Sequence, residues 1–388
     1  MKIAILTQPL RTNYGGILQA YALQTVLRRM GHEVVVINRE YNQHLTFLQF
    51  LARCASVLKT LILKLFFNRK DLVVKSPLSP FYTASWRGYD ILPFVGKRIN
   101  QSSRITSSES LKRHLRVNEY DCYIVGSDQV WRPCYSPCIT DYFLKEVPSD
   151  TNALKIAYAA SFGTDQWEFS DEETLECSRL AKSFDFISVR EKSGVTLCEG
   201  FLGVDAHHVL DPTMLLSAQD YIRLIDEAQL PKSTSNLFCY ILDSNPESEK
   251  IVQSLEREGY RATHAKLSTN PTRNNPRPCQ MSVEEWLRGI YEAELVVTDS
   301  FHACVFSIIF KKPFVALGNP LRGNTRFDSL LQMFGLQNRL VLNYESFVEN
   351  QTQLKTSSDL SGLDSVFRHL RQQSFKLLTD LLNQAPDA

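Results

Sequence analysis

Short apolar runs alternate with longer amphipathic stretches from the first residues onward. Residues 3–6 are continuously apolar, 7–16 form a polar, glycine-containing loop, 17–30 carry apolar residues at helical spacing up to Gly31, and 33–37 are apolar again after Glu33. That order predicts a βαβ unit, with the glycine ending the helix. Further strands are predicted at 122–125, 156–159, 186–189 and 208–210, and helices over 171–183 and around 192–202. Strands this short and apolar, set between helices, belong to a parallel sheet buried on both faces.

The second half repeats the pattern. Asp211-Pro212-Thr213 leads into a linker-like stretch, and Pro231-Lys232-Ser233-Thr234-Ser235 punctuates the chain ahead of a fresh strand at 237–242. A helix near 247–258, a strand around Ala262, a loop rich in Pro and Asn over 270–278 and a helix over 283–293 with Trp286 follow. Then come a strand at 295–297, a helix from about Ala303 and a last clear strand at 314–317; the helical period of 360–382 suits a segment packing back across both domains. The predicted fold class is α/β, with two Rossmann-like doubly wound domains facing a cleft. The expected division is 1–215, with a helical insertion at about 45–68, and 216–388. Ligands bind open α/β sheets beyond the carboxyl ends of the strands, so the cleft is the expected site.

Charge and cysteine usage narrow the classes. With 43 Lys and Arg against 42 Asp and Glu in 388 residues, no global field draws the chain to nucleic acid, and any anion site must be built locally. Nine cysteines, an odd number scattered through apolar segments, fit a reducing cytosol better than a disulfide framework. Cys134 and Cys138 have metal-like spacing, but no second Cys or His pair follows nearby, so no metal is expected. The N-terminal apolar run reads as a first strand, too short for a signal peptide. Segment 45–67 is rich in Leu and Phe, carries Arg53, Lys59 and Lys64 and has no acid. Its cations argue against a spanning helix. Either it packs over its own domain with the cations exposed, or it lies in the plane of an anionic membrane as a peripheral contact on the inner face.

Polar loops at strand ends carry the candidate chemistry. Asn13, Tyr14, Gly15 and Gly16 lie in the loop before the first helix, where glycines permit close approach and the free N–H groups of the following helix face an anion or hydroxyl; the spacing is neither a dinucleotide fingerprint nor a P-loop. Ser127, Asp128, Gln129 and Trp131 place a carboxylate, an amide and an indole after a strand, suited to a sugar, or else a helix cap and a core residue. Arg190 offers its planar fork to a carboxylate or phosphate, or pairs with Glu191 at the surface. Asp211 fits an active-site carboxylate and a turn equally. Thr298-Asp299-Ser300-Phe301-His302 sets polar side chains where a buried strand meets a helix N-terminus, an anion site or a capped helix with a structural histidine. Arg322, Asn324, Arg326 and Asp328 follow in a polar loop.

With Leu18-Gln19-Ala20-Tyr21-Ala22-Leu23-Gln24 and Ser188-Val189-Arg190-Glu191, these motifs resemble the polysaccharide pyruvyl transferase family from the first strand to about Leu331. The resemblance implies an architecture similar to GT-B glycosyltransferases, phosphoenolpyruvate as donor, a saccharide acceptor that is free or lipid-linked, a cytoplasmic setting in cell-surface polysaccharide biosynthesis, and no cofactor. Arg190 matches the family's strand-end arginine and His302 its donor-site histidine. Where many relatives carry an arginine two residues before that histidine, this chain has Ser300, and Arg326, Arg322 or Arg273 would supply the missing charge. Donor binding is thus expected of Arg190, Ser300, Phe301, His302 and Arg326, acceptor binding of Asn13 to Gly16, Ser127, Asp128, Gln129 and Trp131, and proton transfer of His302, Asp128, Asp211 and Asp299. Alternatives are a sugar-nucleotide glycosyltransferase, since fold does not fix function, and a non-catalytic, membrane-associated assembly partner for glycan enzymes.

Overall fold

The computed structural model describes residues 1–42, 91–265, 281–318 and 324–383. The expected helix at 45–67, the loop at 270–278, Arg273 and Arg322 lie outside these residues.

The first sheet contains β1 (Lys2–Leu6), β2 (Glu33–Val36), β3 (Cys122–Val125), β4 (Leu154–Ala160), β5 (Phe186–Val189) and β6 (His207–His208). All pairings are parallel, in the order β2-β1-β3-β4-β5-β6. The second contains β7 (Leu237–Tyr240), β8 (Ala262–His264), β9 (Leu295–Thr298), β10 (Phe314–Leu317) and β11 (Leu340–Val341), again all parallel, in the order β11-β10-β9-β7-β8.

Side-chain alternation explains why strands such as β3 and β10 are apolar throughout. In β1, Ile3 and Ile5 enter one core and Ala4 and Leu6 another on the opposite face, as a period of two requires of a strand covered on both sides. The core holding Ile3 and Ile5 is shared by both sheets: it includes Ile17, Leu18 and Leu23 of the helix Tyr14–Arg29 together with Phe238, Val296, Trp286 and Phe306. Tyr14 is the clearest stitch, fully buried, stacked on Trp286 with ring centroids 5.1 Å apart and donating its hydroxyl to the Met281 carbonyl at 2.7 Å. Tyr221 adds an edge-to-face contact with Phe306 at 4.8 Å.

The stretch read as a linker after Thr213 instead forms the helix Ala218–Glu227. Ser217 and Asp220 cap it reciprocally, and Tyr221, Leu224 and Ile225 bury the three-and-four spacing that the reading passed over. Arg326 and Asp328 likewise sit on a helix, Thr325–Phe334, ended by Gly335 at φ 67°. The helix Leu363–Leu382 returns to the first sheet's side, where Arg371 donates to the carbonyls of Met214 and Leu216, each at 2.9 Å. No helix among the described residues is long and apolar enough to cross a membrane.

Since Tyr14 joins the two sheets through both ring and hydroxyl, Tyr14→Phe should lower unfolding stability by about 1 kcal/mol. Trp286→Ala should cost about 3–5 kcal/mol, both read from urea midpoints with unchanged slope.

Candidate active site

Four strand ends and two helix starts converge. Ser127 and Asp128 follow β3, Arg190 follows β5, Asp211 lies just beyond β6, and His302 stands in the first turn of the helix Phe301–Ile309 after β9. The helix Tyr14–Arg29 brings its own N-terminus against them. Asn13 caps that helix by accepting the Gly15 N–H and donates its amide to Asp128 Oδ2 at 2.9 Å. A Cβ on Gly15 would land on the His302 ring, so only glycine lets the helix approach this closely.

Arg190 is the centre of the cluster. Its Nη1 donates to Asp211 Oδ2 at 3.0 Å and lies 3.3 Å from His302 Nε2. Nη2 is 3.5 Å from Asp128 Oδ1, Nε is 3.9 Å from Glu191 Oε2, and the guanidinium stands over the Phe301 ring at 4.4 Å. Arg190, Asp128, Asp211 and His302 are all buried. Burial opposes charge on Arg190, but Asp211, Asp128 and Glu191 outweigh it and raise its pKa. Burial would also lift Asp211; the hydrogen bond and charge of His302, the Arg190 charge and the Thr213 hydroxyl outweigh it and hold the carboxyl well below the usual carboxylate range.

Supporting residues fix this geometry. Asp211 Oδ1 accepts the Thr213 N–H and hydroxyl at 3.0 and 2.7 Å, while Oδ2 also accepts the Ser127 hydroxyl at 3.2 Å. Gln19, buried on the first helix, accepts the Ser127 N–H at 2.9 Å and donates to Thr7 Oγ1 and the Gly16 carbonyl. Glu191 Oε1 gathers the Ser161 hydroxyl and the N–H groups of Phe162 and Gly163 at 2.8–3.1 Å, clamping the loop after β4 beside Arg190. The Arg190 carbonyl meets His208 Nε2 at 3.0 Å.

Comparison with known families decides what this constellation belongs to. The model of one family, polysaccharide pyruvyl transferase, matches residues 13–320. The chain belongs to the polysaccharide pyruvyl transferase family. No curated protein sequence matches it. Among solved structures it is similar to the UDP-GlcNAc 2-epimerase from Neisseria meningitidis bound to UDP-GlcNAc, with 12% identity and a TM-score of 0.53 over 99% of this chain and 100% of that one. The UDP-N-acetylglucosamine 2-epimerase from Rickettsia bellii gives 10% identity and a TM-score of 0.50 over 99% and 97%. At such identities the likeness is one of fold: two Rossmann-like domains facing a cleft, the GT-B arrangement.

In this pyruvyl transferase family member the predicted residues separate into those the fold gathers and those it does not. Arg190, His302, Asp211, Asp128, Ser127, Asn13, Gly15 and Phe301 meet; Gly16 lies against Asp128 Oδ2, where a Cβ would sit 2.9 Å from that oxygen. Tyr14 and Trp131, expected to face a sugar, do not: Tyr14 joins the sheets, and Trp131 is fully buried, stacked on Phe143 at 4.9 Å with its N–H donated to the Tyr142 carbonyl. Nor does Asp299 reach the cluster. Its carboxylate accepts the N–H groups of Leu242 and Asp243 at 2.6 and 2.8 Å, tying β9 to the end of β7, and burial raises its pKa. Ser300 caps the His302 helix by position only, its N–H donated to Thr298 Oγ1. Gln129 accepts Arg132 Nη1 at 3.2 Å on its side-chain oxygen. Arg326 is half-buried, with its Nε lacking a hydrogen-bond partner, and burial and the Arg190 charge pull its pKa down to about 10. Cys134 and Cys138 are free thiols beside Glu168 and Thr140 respectively. Gln19 and Thr213 are supporting residues that sequence reasoning missed, and Glu191, expected as a surface partner of Arg190, is buried with it and clamps the loop after β4. Their signal was a polar side chain inside an otherwise buried run.

Because the Asp211 pKa is depressed by folding, its stabilisation is complete above the ordinary carboxylate pKa of about 3.9 and is lost as pH falls toward the folded value. The stability gap between wild type and Asp211→Asn should therefore be widest at neutral pH and narrow below about pH 4 in urea titrations. Gly15→Ala should displace the His302 ring and perturb its imidazole resonances in NMR spectra, whereas Gly31→Ala, far from that ring, should leave them in place.

Proposed function

We propose that the protein transfers a pyruvyl group from phosphoenolpyruvate to a saccharide, closing a cyclic ketal across two hydroxyls. The observation that carries this reading is the meeting of Arg190 from the first sheet with His302 from the second, 3.3 Å apart over a common carboxylate, Asp211. A trianionic donor needs concentrated, preorganised positive charge. Arg190 supplies a fork at the junction, and Arg326, with an unbonded Nε beside it, stands for the arginine that Ser300 replaces.

In this mechanism Arg190 and Arg326 hold the donor's carboxylate and phosphate. His302 gives a proton to the methylene carbon, so that positive charge develops at C2. Asp128, oriented by Asn13, takes the proton of the attacking sugar hydroxyl. Phosphate leaves as the second hydroxyl bonds to C2 and gives its proton back to His302. Asp211 holds Arg190 and His302 in mutual register. No cofactor enters the sequence; the partner is the saccharide acceptor, and 45–67 is retained as a candidate contact with the membrane inner face.

A thermal shift with phosphoenolpyruvate, run beside a panel of nucleotide sugars, tests the donor. At a hundred times the dissociation constant it should stabilise the protein by about 2.7 kcal/mol. Arg190→Ala should abolish that shift and lower turnover at least about a hundredfold, and His302→Ala should lower turnover comparably. A shift with a nucleotide sugar and none with phosphoenolpyruvate would sink this reading in favour of glycosyl transfer.

A further inference from the structure

The expected aromatic platform for the acceptor is missing from the junction, because Tyr14 and Trp131 are both in cores. Two other rings take a different position. Among the described residues the exposed aromatic side chains are Tyr135, at 39%, and Phe201, at 45%. Each has one face covered by a flat group and the ring still open to solvent. The Arg132 guanidinium lies over Tyr135 at 4.7 Å. The Trp167 indole lies parallel to Phe201, with centroids 4.5 Å apart and planes 3° apart.

A chain of contacts through Arg132, Glu168 and Trp167 links the two rings. Arg132 donates to both Glu168 carboxylate oxygens, at 2.8 and 2.7 Å, and Glu168 is the chain neighbour of Trp167. Arg132 Nη1 also bonds the side chain of Gln129, the residue that follows Asp128 in the chain. These loops follow the carboxyl ends of β3 and β4, the same end of the sheet as Arg190. Gln8, after β1, pins the base of the Tyr135 loop by donating to the Gln129 carbonyl and to Ser136 Oγ.

We infer that Tyr135, Arg132, Glu168 and Phe201 form a saccharide-binding strip that receives the acceptor glycan beyond the sugar being modified. The inference rests on the pyruvyl-transfer reading above and deepens it, since it makes the acceptor an oligosaccharide. Rings already fixed face-outward lose little freedom on binding, and they suit the apolar C–H faces of pyranoses. The fork of Arg132 and the exposed Glu168 carboxylate, lying between the rings, suit sugar hydroxyls as donor and acceptor. Trp167, sandwiched by Phe169 and Phe201, braces the far end.

The test is a glycan array carrying neutral, N-acetylated and uronic mono- to hexasaccharides, read with labelled full-length protein. Wild type should be retained on glycans of several sugars and released from monosaccharides. Tyr135→Ala and Phe201→Ala should each weaken retention by about tenfold, the loss of one anchoring aromatic contact. Tyr135→Phe, which keeps the ring, should bind as wild type, and all three should keep the wild-type urea midpoint and the stabilisation by phosphoenolpyruvate. Equal retention by both alanine variants, or retention of no glycan by wild type, overturns the strip. Absence of a phosphoenolpyruvate shift in wild type counts against the donor reading instead, and leaves the array to judge the strip independently.

Discussion

The structure depends on one buried cation. Arg190 is almost wholly removed from water, a condition that is costly for a charge unless opposite charges and hydrogen bonds replace the solvent. Three carboxylates, from Asp211, Asp128 and Glu191, do so. Each is itself anchored: Asp211 by Thr213 and Ser127, Asp128 by Asn13, Glu191 by the loop after β4. The fold around the site is in effect the set of connections that keeps these acids facing one guanidinium. Four separate strand-end loops and a helix cap must be correctly placed before the charge is balanced.

That requirement couples the site to the packing of the two domains. His302 reaches Arg190 only because the second sheet is seated on the first through a common core. Tyr14, one residue beyond the Asn13 cap that orients Asp128, lies within that seat against Trp286. Chemistry and domain packing thus share the first turn of a single helix. Asn13 serves the carboxylate, Tyr14 the interface and Gly15 the histidine.

Much of this was legible in the sequence, and the reasons differ by element. Strands such as β3, β5 and β10 were placed residue for residue because they are short, apolar but for Ser188 and bounded by polar loops. Helix starts were harder to place: the first helix begins at Tyr14, where the glycine-containing loop had been expected to run to Gly16, and the helix after β9 begins at Phe301 instead of Ala303. The strand-end motifs pointed to Arg190, Asp128, Asp211 and His302, because polar residues directly after a buried run have few other uses. What those motifs could not convey is direction. Trp131 is three residues from Asp128 yet turns into the core, and Asp299 is three from His302 yet turns toward β7, since side chains a few residues apart at a turn diverge. Ala218–Glu227 was missed for another reason: the polar residues that cap and solvate it hide the apolar spacing of Tyr221, Leu224 and Ile225.

The missing side chain of Gly15 joins two motifs that lie far apart in the sequence, one in each domain. The space a methyl group would take there is filled by the imidazole of His302. The tolerance of each position is consequently set by the other: a bulkier residue at 15 is admissible only with a smaller one at 302, which would remove the histidine. Across divergence the two positions form a single unit of inheritance, and recombination that exchanged one domain without the other would have to preserve both.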